Sequence, residues 1–140
     1  MIRKAEKKDS DRIMQIWLNT NISAHSFIPG EYWISNFDEV KRAIEQAEVY
    51  VYERENTICG FIGLADSYIA GIFVEQLYQS HGIGKQLLDY IKSSHTSLSL
   101  HVYEKNNRAL KFYLREGFKI SSKSKDENNC EEFELKWNSD

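Results

Sequence analysis

One stretch, Tyr68 to Tyr103, limits most strongly what this chain can become. Tyr68-Ile69-Ala70-Gly71-Ile72-Phe73-Val74 is dense in strand formers and mostly apolar, so it belongs near the centre of a sheet. A loop of a few residues follows, and Gly82 and Gly84 open the next segment. Ile83, Leu87, Leu88 and Ile91 then fall at helical spacing. Leu98-Ser99-Leu100-His101-Val102-Tyr103 alternates apolar and polar positions, the period of a strand. Strand, helix and strand in direct succession predict parallel neighbours joined by a right-handed crossover.

The flanking segments fill out the sheet. Ile2 to Glu6 reads as a short first strand, and Asp9 or Ser10 offers a capping oxygen to a helix carrying Ile13, Ile16 and Trp17. Residues 21–31 read as a loop. Phe37, Val40, Ile44 and Ala47 mark a second helix, and Arg54-Glu55-Asn56 turns the strand Val49–Tyr52 back into Thr57–Leu64. After the crossover, Asn106 or Asn107 caps a fourth helix with Leu110, Tyr113 and Leu114, and Gly117 suits its C-terminal end. Phe118 and Ile120 open a sixth strand. The turn Asp126–Asn129 leads to a seventh, where Phe133, Leu135 and Trp137 alternate with acids and a lysine. The prediction is an α/β fold of the α+β kind: a mixed central sheet of about seven strands with helices on both faces.

Composition narrows the function. The 140 residues suit one domain, 1–140, without a Pro-, Gly- or Ser-rich linker. Eighteen Lys and Arg against 21 Asp and Glu leave a net charge of −3, lacking the basic excess of a nucleic-acid binder. No apolar run reaches the roughly 20 residues of a membrane span. No secretory leader is evident, and Cys59 and Cys130 stand far apart, so a reducing cytoplasm and free thiols are expected. His25, His81, His95 and His101 are not spaced with Cys or acids as metal ligands, and no metal is expected.

The chemistry lies in Val74-Glu75-Gln76-Leu77-Tyr78-Gln79-Ser80-His81-Gly82-Ile83-Gly84-Lys85. A strand ends, a short loop follows, and glycines open a helix. Helix starts expose free N–H groups and partial positive charge, so they bind phosphate. Taken alone, Gly82 and Gly84 read first as easing a tight turn. Their spacing matches neither a Walker loop nor the three-glycine dinucleotide fingerprint.

Gln79-x-x-Gly82-x-Gly84 resembles the acyl-CoA-binding signature of the GNAT N-acetyltransferase superfamily. Asn106-x-x-Ala109-x-x-x-Tyr113-x-x-x-Gly117-Phe118 resembles that superfamily's second signature in type and spacing. His25-Ser26-Phe27-Ile28-x-x-x-Tyr32-Trp33 is similar to a segment of the small bacterial YiaC/YjaB-type peptidyl-lysine acetyltransferases. Many relatives have Pro where Gln76 stands and Gly where Ser80 stands.

The resemblance implies a GNAT-like fold whose fourth and fifth strands splay apart, and acetyl-CoA as cosubstrate in the gap. It lays the pantetheine arm along the main chain of Phe73 and Val74. It puts the pyrophosphate on the amides of Gln79, Ser80, His81, Gly82, Ile83 and Gly84, with Lys85 beginning the helix. An N–H near Val74 would serve the thioester oxygen as it gains charge. Asn106 would bond the pantetheine arm, and Tyr113 would protonate the departing thiolate.

The acceptor implied is a primary amine, a protein lysine or N-terminus, attacked in a ternary complex. A lysine-type amine with pKa ≈ 10.4 is neutral about once in 2,500 molecules at pH 7, a penalty of about 4.6 kcal/mol, so a base or a lowered pKa is needed. Glu75 and His25 are the candidate bases, each also readable as a strand-end charge or a backbone-bonded loop histidine. Phe27, Tyr32, Trp33 and Tyr68, with His25, are candidates to line the acceptor site, although aromatics also build cores. Two other readings stand beside this one: transfer to a small amine such as an amino acid, polyamine or aminoglycoside, and a non-catalytic acyl-CoA sensor. The chain is expected to work as a monomer or homodimer, away from nucleic acid and membrane.

Overall fold

The computed structural model describes residues 1–139. Strands β1 (Ile2–Lys4), β2 (Glu48–Arg54), β3 (Thr57–Ala65), β4 (Tyr68–Val74), β5 (Ser97–Tyr103), β6 (Lys119–Lys125) and β7 (Glu131–Asn138) form one sheet. Its order is β1-β2-β3-β4-β5-β7-β6. Every neighbouring pair is antiparallel except β4 and β5, the pair that the crossover makes parallel. Helices α1 (Ser10–Ala24), α2 (Gly30–Ser35) and α3 (Phe37–Gln46) precede β2 in the chain; α4 (Ile83–Lys92) and α5 (Asn107–Arg115) flank β5.

The sheet separates two cores. On one face Ile83, Leu87, Leu88 and Ile91 of α4 and Tyr113 of α5 pack on Cys59, Ile62, Leu64, Leu98, Leu100 and Leu135. On the other, Ile13, Met14, Ile16 and Trp17 of α1 and Trp33 of α2 pack on Val49, Val51, Ile58 and Phe61. Covered on both faces, β3 is buried from Ile58 through Leu64. Each apolar side chain fully removed from water stabilises the fold by roughly 1.5–3 kcal/mol before chain entropy is counted. The α4 stripe is therefore a principal anchor of the crossover.

Three local expectations are corrected. The first strand ends at Lys4, and a 3₁₀ turn, Lys7–Asp9, fills the space before α1. Asp9 stands at the α1 N-cap without capping it. Its carboxylate instead takes two bonds from Arg3 (2.8 and 3.1 Å) and one from the Glu6 N–H (2.7 Å). Residues 21–31 are not all loop: α1 continues to Ala24, and α2 begins at Gly30, so three helices precede β2. Burial of Asn21, whose side-chain amide donates to Trp17 C=O (2.9 Å), carries α1 past the point where its apolar period fades.

Candidate active site

The gap between β4 and β5 organises the site. These strands pair only where Tyr68 faces Ser99, with a further bond from Ser99 N–H to Ser67 C=O (3.0 Å). On the β3 side, Gly63 faces Gly71 and Leu64 faces Ile69, which leaves Ala70 as an extra residue in β4. A bulge of this kind bends and twists its strand, and it sits where β5 departs. Beyond it, Gly71 through Val74 are half-buried although β4 lies mid-sheet. Their apolar character fits a central strand, but the neighbour that would cover them is missing.

The open edge has a definite polarity. Glu75 N–H donates to Cys59 C=O (2.8 Å). Antiparallel alternation then directs the main-chain groups of Gly71 and Phe73 to β3, and those of Ile72 and Val74 into the gap. The Val74 carbonyl indeed accepts from Gln79 Nε2 (2.8 Å) on the free side. Of the two residues expected to line the arm, Val74 presents its main chain and Phe73 stacks its ring on Phe61 (4.9 Å). Sequence reasoning missed Ile72. The alternation is readable only once the bulge at Ala70 sets its phase.

At the end of β4 the chain passes through a 3₁₀ turn, Gln76–Tyr78, into the glycine loop. Ser80 (φ 67°) and Gly82 (φ 79°) are both left-handed, and Gly82 is the N-cap of α4. Gly82 meets this demand without a Cβ; Ser80 does not, at a cost on the order of 1 kcal/mol. The first N–H groups of α4, from Ile83, Gly84 and Lys85, have no partner within the helix. Buried Ile83 pins this turn to the core. Gly84 lies against Phe112, and a Cβ there would make only ordinary contact at 3.6 Å. Lys85 reaches Glu116 (2.9 Å) and Asp89 (3.4 Å), which raise its pKa, so its ammonium points back along the protein. His81 is exposed, its Nδ1 3.1 Å from Tyr78 C=O.

Helix α5 brings two groups to this opening. Asn106 caps it by accepting from the Ala109 N–H (3.2 Å). Arg108, in the first turn, donates to Gln79 Oε1 (2.6 Å) and Ser80 Oγ (3.0 Å). No signal in the sequence distinguished Arg108 from any other exposed helix residue. Tyr113 is 7% exposed and set edge-on between Phe112 (5.2 Å) and Phe118 (5.6 Å). Its hydroxyl has no hydrogen-bond partner among the described residues. Burial, with the nearby Tyr68 phenol, pushes its pKa well above the usual tyrosine value, so Tyr113 is a neutral O–H donor.

The remaining candidates form a second group. His25 stacks on Trp33 (5.2 Å) and meets Phe27 (5.7 Å) and Tyr103 (5.1 Å) edge-on. Its Nδ1 lies 3.1 Å from Asn21 C=O and its Nε2 3.2 Å from Asn106 Nδ2. A carbonyl accepts and an amide donates, so the imidazole is neutral with its proton on Nδ1. Burial holds the His25 pKa below its usual value. Trp33 is buried against Trp17 and lies behind this cluster, its indole N–H without a partner among the described residues. Tyr32 bonds Glu127, and Tyr103 bonds Asp126 in the β6–β7 turn; burial first, and then the carboxylate, raises the pKa of each tyrosine.

Glu75 is held by Arg12 of α1 (2.7 Å), which also donates to Ile58 C=O (3.0 Å). Tyr68 and His101 Nδ1 are 2.8 Å apart at the open face of the gap. Glu134 pairs with His101 across β5–β7, and Glu132 with Tyr103. Burial raises the pKa of Glu132 and of Tyr68, and both acids add to the rise at Tyr68. Neither glutamate has a cationic partner among the described residues.

Two surface hollows lie away from this gap. A hollow of about 380 Å³ is lined by Arg3, Asp9, Arg12 and Glu53; Arg3 pairs with Asp9 and Glu53, and Arg12 with Glu75 beyond it. A smaller one of about 170 Å³ lies under Phe27, Lys105 and Cys130. The β4–β5 gap is an open groove with free main-chain groups, the form expected where an extended ligand adds as a strand. Among the described residues no cluster of three or more His, Cys, Asp or Glu is arranged to hold a metal, and no helix is long and apolar enough to cross a membrane.

Residues 45–120 match the family model described as acetyltransferase (GNAT) domain. The chain is 34% identical over 122 residues to the peptidyl-lysine N-acetyltransferase YiaC of Escherichia coli, covering 86% of this chain and 84% of that one. It is 26% identical over 125 residues to the peptidyl-lysine N-acetyltransferase YjaB of the same organism, covering 88% and 84%. The solution structure of apo YjaB from Escherichia coli superimposes with a TM-score of 0.86, at 24% identity, over 98% of this chain and 96% of that one. A GCN5-related N-acetyltransferase structure from Rhodopseudomonas palustris gives 0.84 at 14% identity, over 99% and 95%.

Proposed function

The chain belongs to the GNAT acetyltransferase family, and from that premise we propose that it moves the acetyl group of acetyl-CoA to the ε-amine of a protein lysine. One observation carries the reading. β4 leaves β5 after a single paired residue, so the main-chain groups of Ile72 and the Val74 N–H face the gap, the Val74 carbonyl is held there only by the Gln79 side chain, and the buried Tyr113 side chain ends in a hydroxyl without a partner among the described residues. Pantetheine supplies amides spaced to pair with such an edge. The N–H groups from Gln79 to Lys85 then receive the pyrophosphate, and the acetyl group comes to rest near Tyr113.

The reaction balances within the ternary complex. The neutral amine nitrogen attacks the thioester carbon. Negative charge gathers on the carbonyl oxygen, for which a free N–H on the β4 edge is the fixed donor. The C–S bond breaks, and the proton lost by nitrogen ends on sulfur. A tyrosine with so high a pKa is a poor source of net protons. Its use is to donate a hydrogen bond to the leaving thiolate and pass on the proton that the attacking nitrogen sheds.

The candidate bases are constrained unequally. His25 must release Asn106 before its Nε2 takes a proton, whereas Glu75 bonds Arg12 through one carboxylate oxygen and keeps the other open. Tyr68 and His101 carry no such engagement beyond each other, and they face Glu132 and Glu134. That uncompensated acidity favours a cationic acceptor such as lysine, and the names of the relatives agree. His25, Phe27 and Tyr32 form the acceptor wall, with Trp33 behind them.

The test is thiol release from acetyl-CoA with lysine peptides and small amines. Lysine peptides are expected to turn over best. Tyr113→Phe is expected to lower kcat by about 10²- to 10³-fold with little change in coenzyme A affinity or thermal stability, because its hydroxyl has no partner to lose. Turnover of small amines alone would refute the lysine assignment. Tight coenzyme A binding without turnover on any acceptor would establish a sensor.

A further inference from the structure

We propose that Arg108 is a ligand of the coenzyme A pyrophosphate, held in reserve by the loop it will share with the cofactor; the proposal rests on the acetyl-CoA reading above. Three observations lead there. Arg108 lies across the mouth of the glycine loop, bonding Gln79 Oε1 (2.6 Å) and Ser80 Oγ (3.0 Å). Both partners are neutral acceptors, and Arg108 enters no ion pair among the described residues. By contrast, Lys85, the other cation at this opening, is turned onto Glu116 and Asp89. The one uncompensated charge beside the free N–H groups of α4 is therefore a guanidinium, whose fork geometry fits phosphate.

Gln79 gives the arrangement its logic. Its amide nitrogen donates to the Val74 carbonyl, and its amide oxygen accepts from Arg108. One side chain thus occupies both a main-chain acceptor of the cofactor groove and the cation at its phosphate end. An arriving cofactor replaces it at both points: a pantetheine amide takes the Val74 carbonyl, and a pyrophosphate oxygen takes Arg108. Ser80 fits the same scheme. Its left-handed backbone is strained without glycine, and its hydroxyl orients the guanidinium toward the loop.

The alternative is that Arg108 merely props the loop. Calorimetry with coenzyme A on wild type, Arg108→Gln and Arg108→Lys separates the two, at about 0.05 and about 0.5 M salt. Direct pairing predicts that Arg108→Gln weakens binding about 10- to 100-fold at low salt. It also predicts that the deficit shrinks at high salt and that lysine restores part of the affinity. A prop bonding two neutral groups predicts a deficit independent of salt and no rescue by lysine, and either result overturns the proposal. Unchanged affinity in Arg108→Gln overturns it too. Failure of wild type to bind coenzyme A at all overturns the acetyl-CoA reading itself, and so the two failures are told apart. Arg108 is exposed, and equal melting temperatures without ligand confirm that the variants are folded.

Discussion

At the scale of single residues, the site is governed by what each polar group already has for a partner. Tyr113 has none for its hydroxyl, whereas Glu75 and His25 are both engaged. His25 also ties pH to stability. Its folded pKa lies below the usual value of 6.5, chiefly through burial, so the unfolded chain binds the proton more readily. The stability contributed by the neutral, doubly bonded ring is complete above about pH 6.5 and is lost as pH falls toward the folded pKa. Thermal melting from pH 7.5 to 5 is expected to show this loss in wild type and a flatter profile in His25→Gln. Identical slopes would mean that the imidazole is not held neutral.

At the scale of elements, β3 and β4 show why glycine is needed at some positions and optional at others. A Cβ on Gly60 would stand 2.7 Å from the Phe73 carbonyl, so main chain would have to move. A Cβ on Gly71 would strike the Phe73 ring at 2.4 Å, but a ring edge can swing into the open groove. On Gly84 it would make an ordinary 3.6 Å contact. The expected order of destabilisation is Gly60→Ala, then Gly71→Ala at roughly 1–3 kcal/mol, then Gly84→Ala near zero. Urea titration of the three variants checks it. Gly71→Ala carries a second signature, weaker coenzyme A binding, because the displaced ring enters the groove.

For the whole molecule, an unfinished sheet implies a ligand that finishes it. The β4 edge beyond the bulge is mid-sheet, and the Ile72 and Val74 N–H groups on it face the gap without a partner among the described residues. Saturating acetyl-CoA, at about 100 times its Kd, is expected to add about 2.7 kcal/mol of stability and raise Tm by several degrees. The same addition is expected to slow hydrogen exchange at the Ile72 and Val74 amides more than at Phe73, which already faces β3. Equal protection of all three would mean that the cofactor does not add along this edge.

How far the chain announces this arrangement depends on the range of the interaction involved. The parallel crossover, the central place of the apolar β4 and the glycine-opened α4 follow from periodicity and from residue types a few positions apart, and all of these are legible in the sequence. The two signatures led to the GNAT family for the same reason: each is a local arrangement, a loop meeting a helix or a helix carrying Tyr113 and its cap. Other features come from groups distant in sequence that only folding brings together. Arg12 claims Glu75, Asn106 claims His25, and Arg108 reaches Gln79 and Ser80. The phase of the β4 edge is decided by a bulge against β3, and the length of α1 by the burial of Asn21. Spacing along a chain encodes what a segment prefers by itself; which partner satisfies a charge or a carbonyl is chosen by geometry in three dimensions.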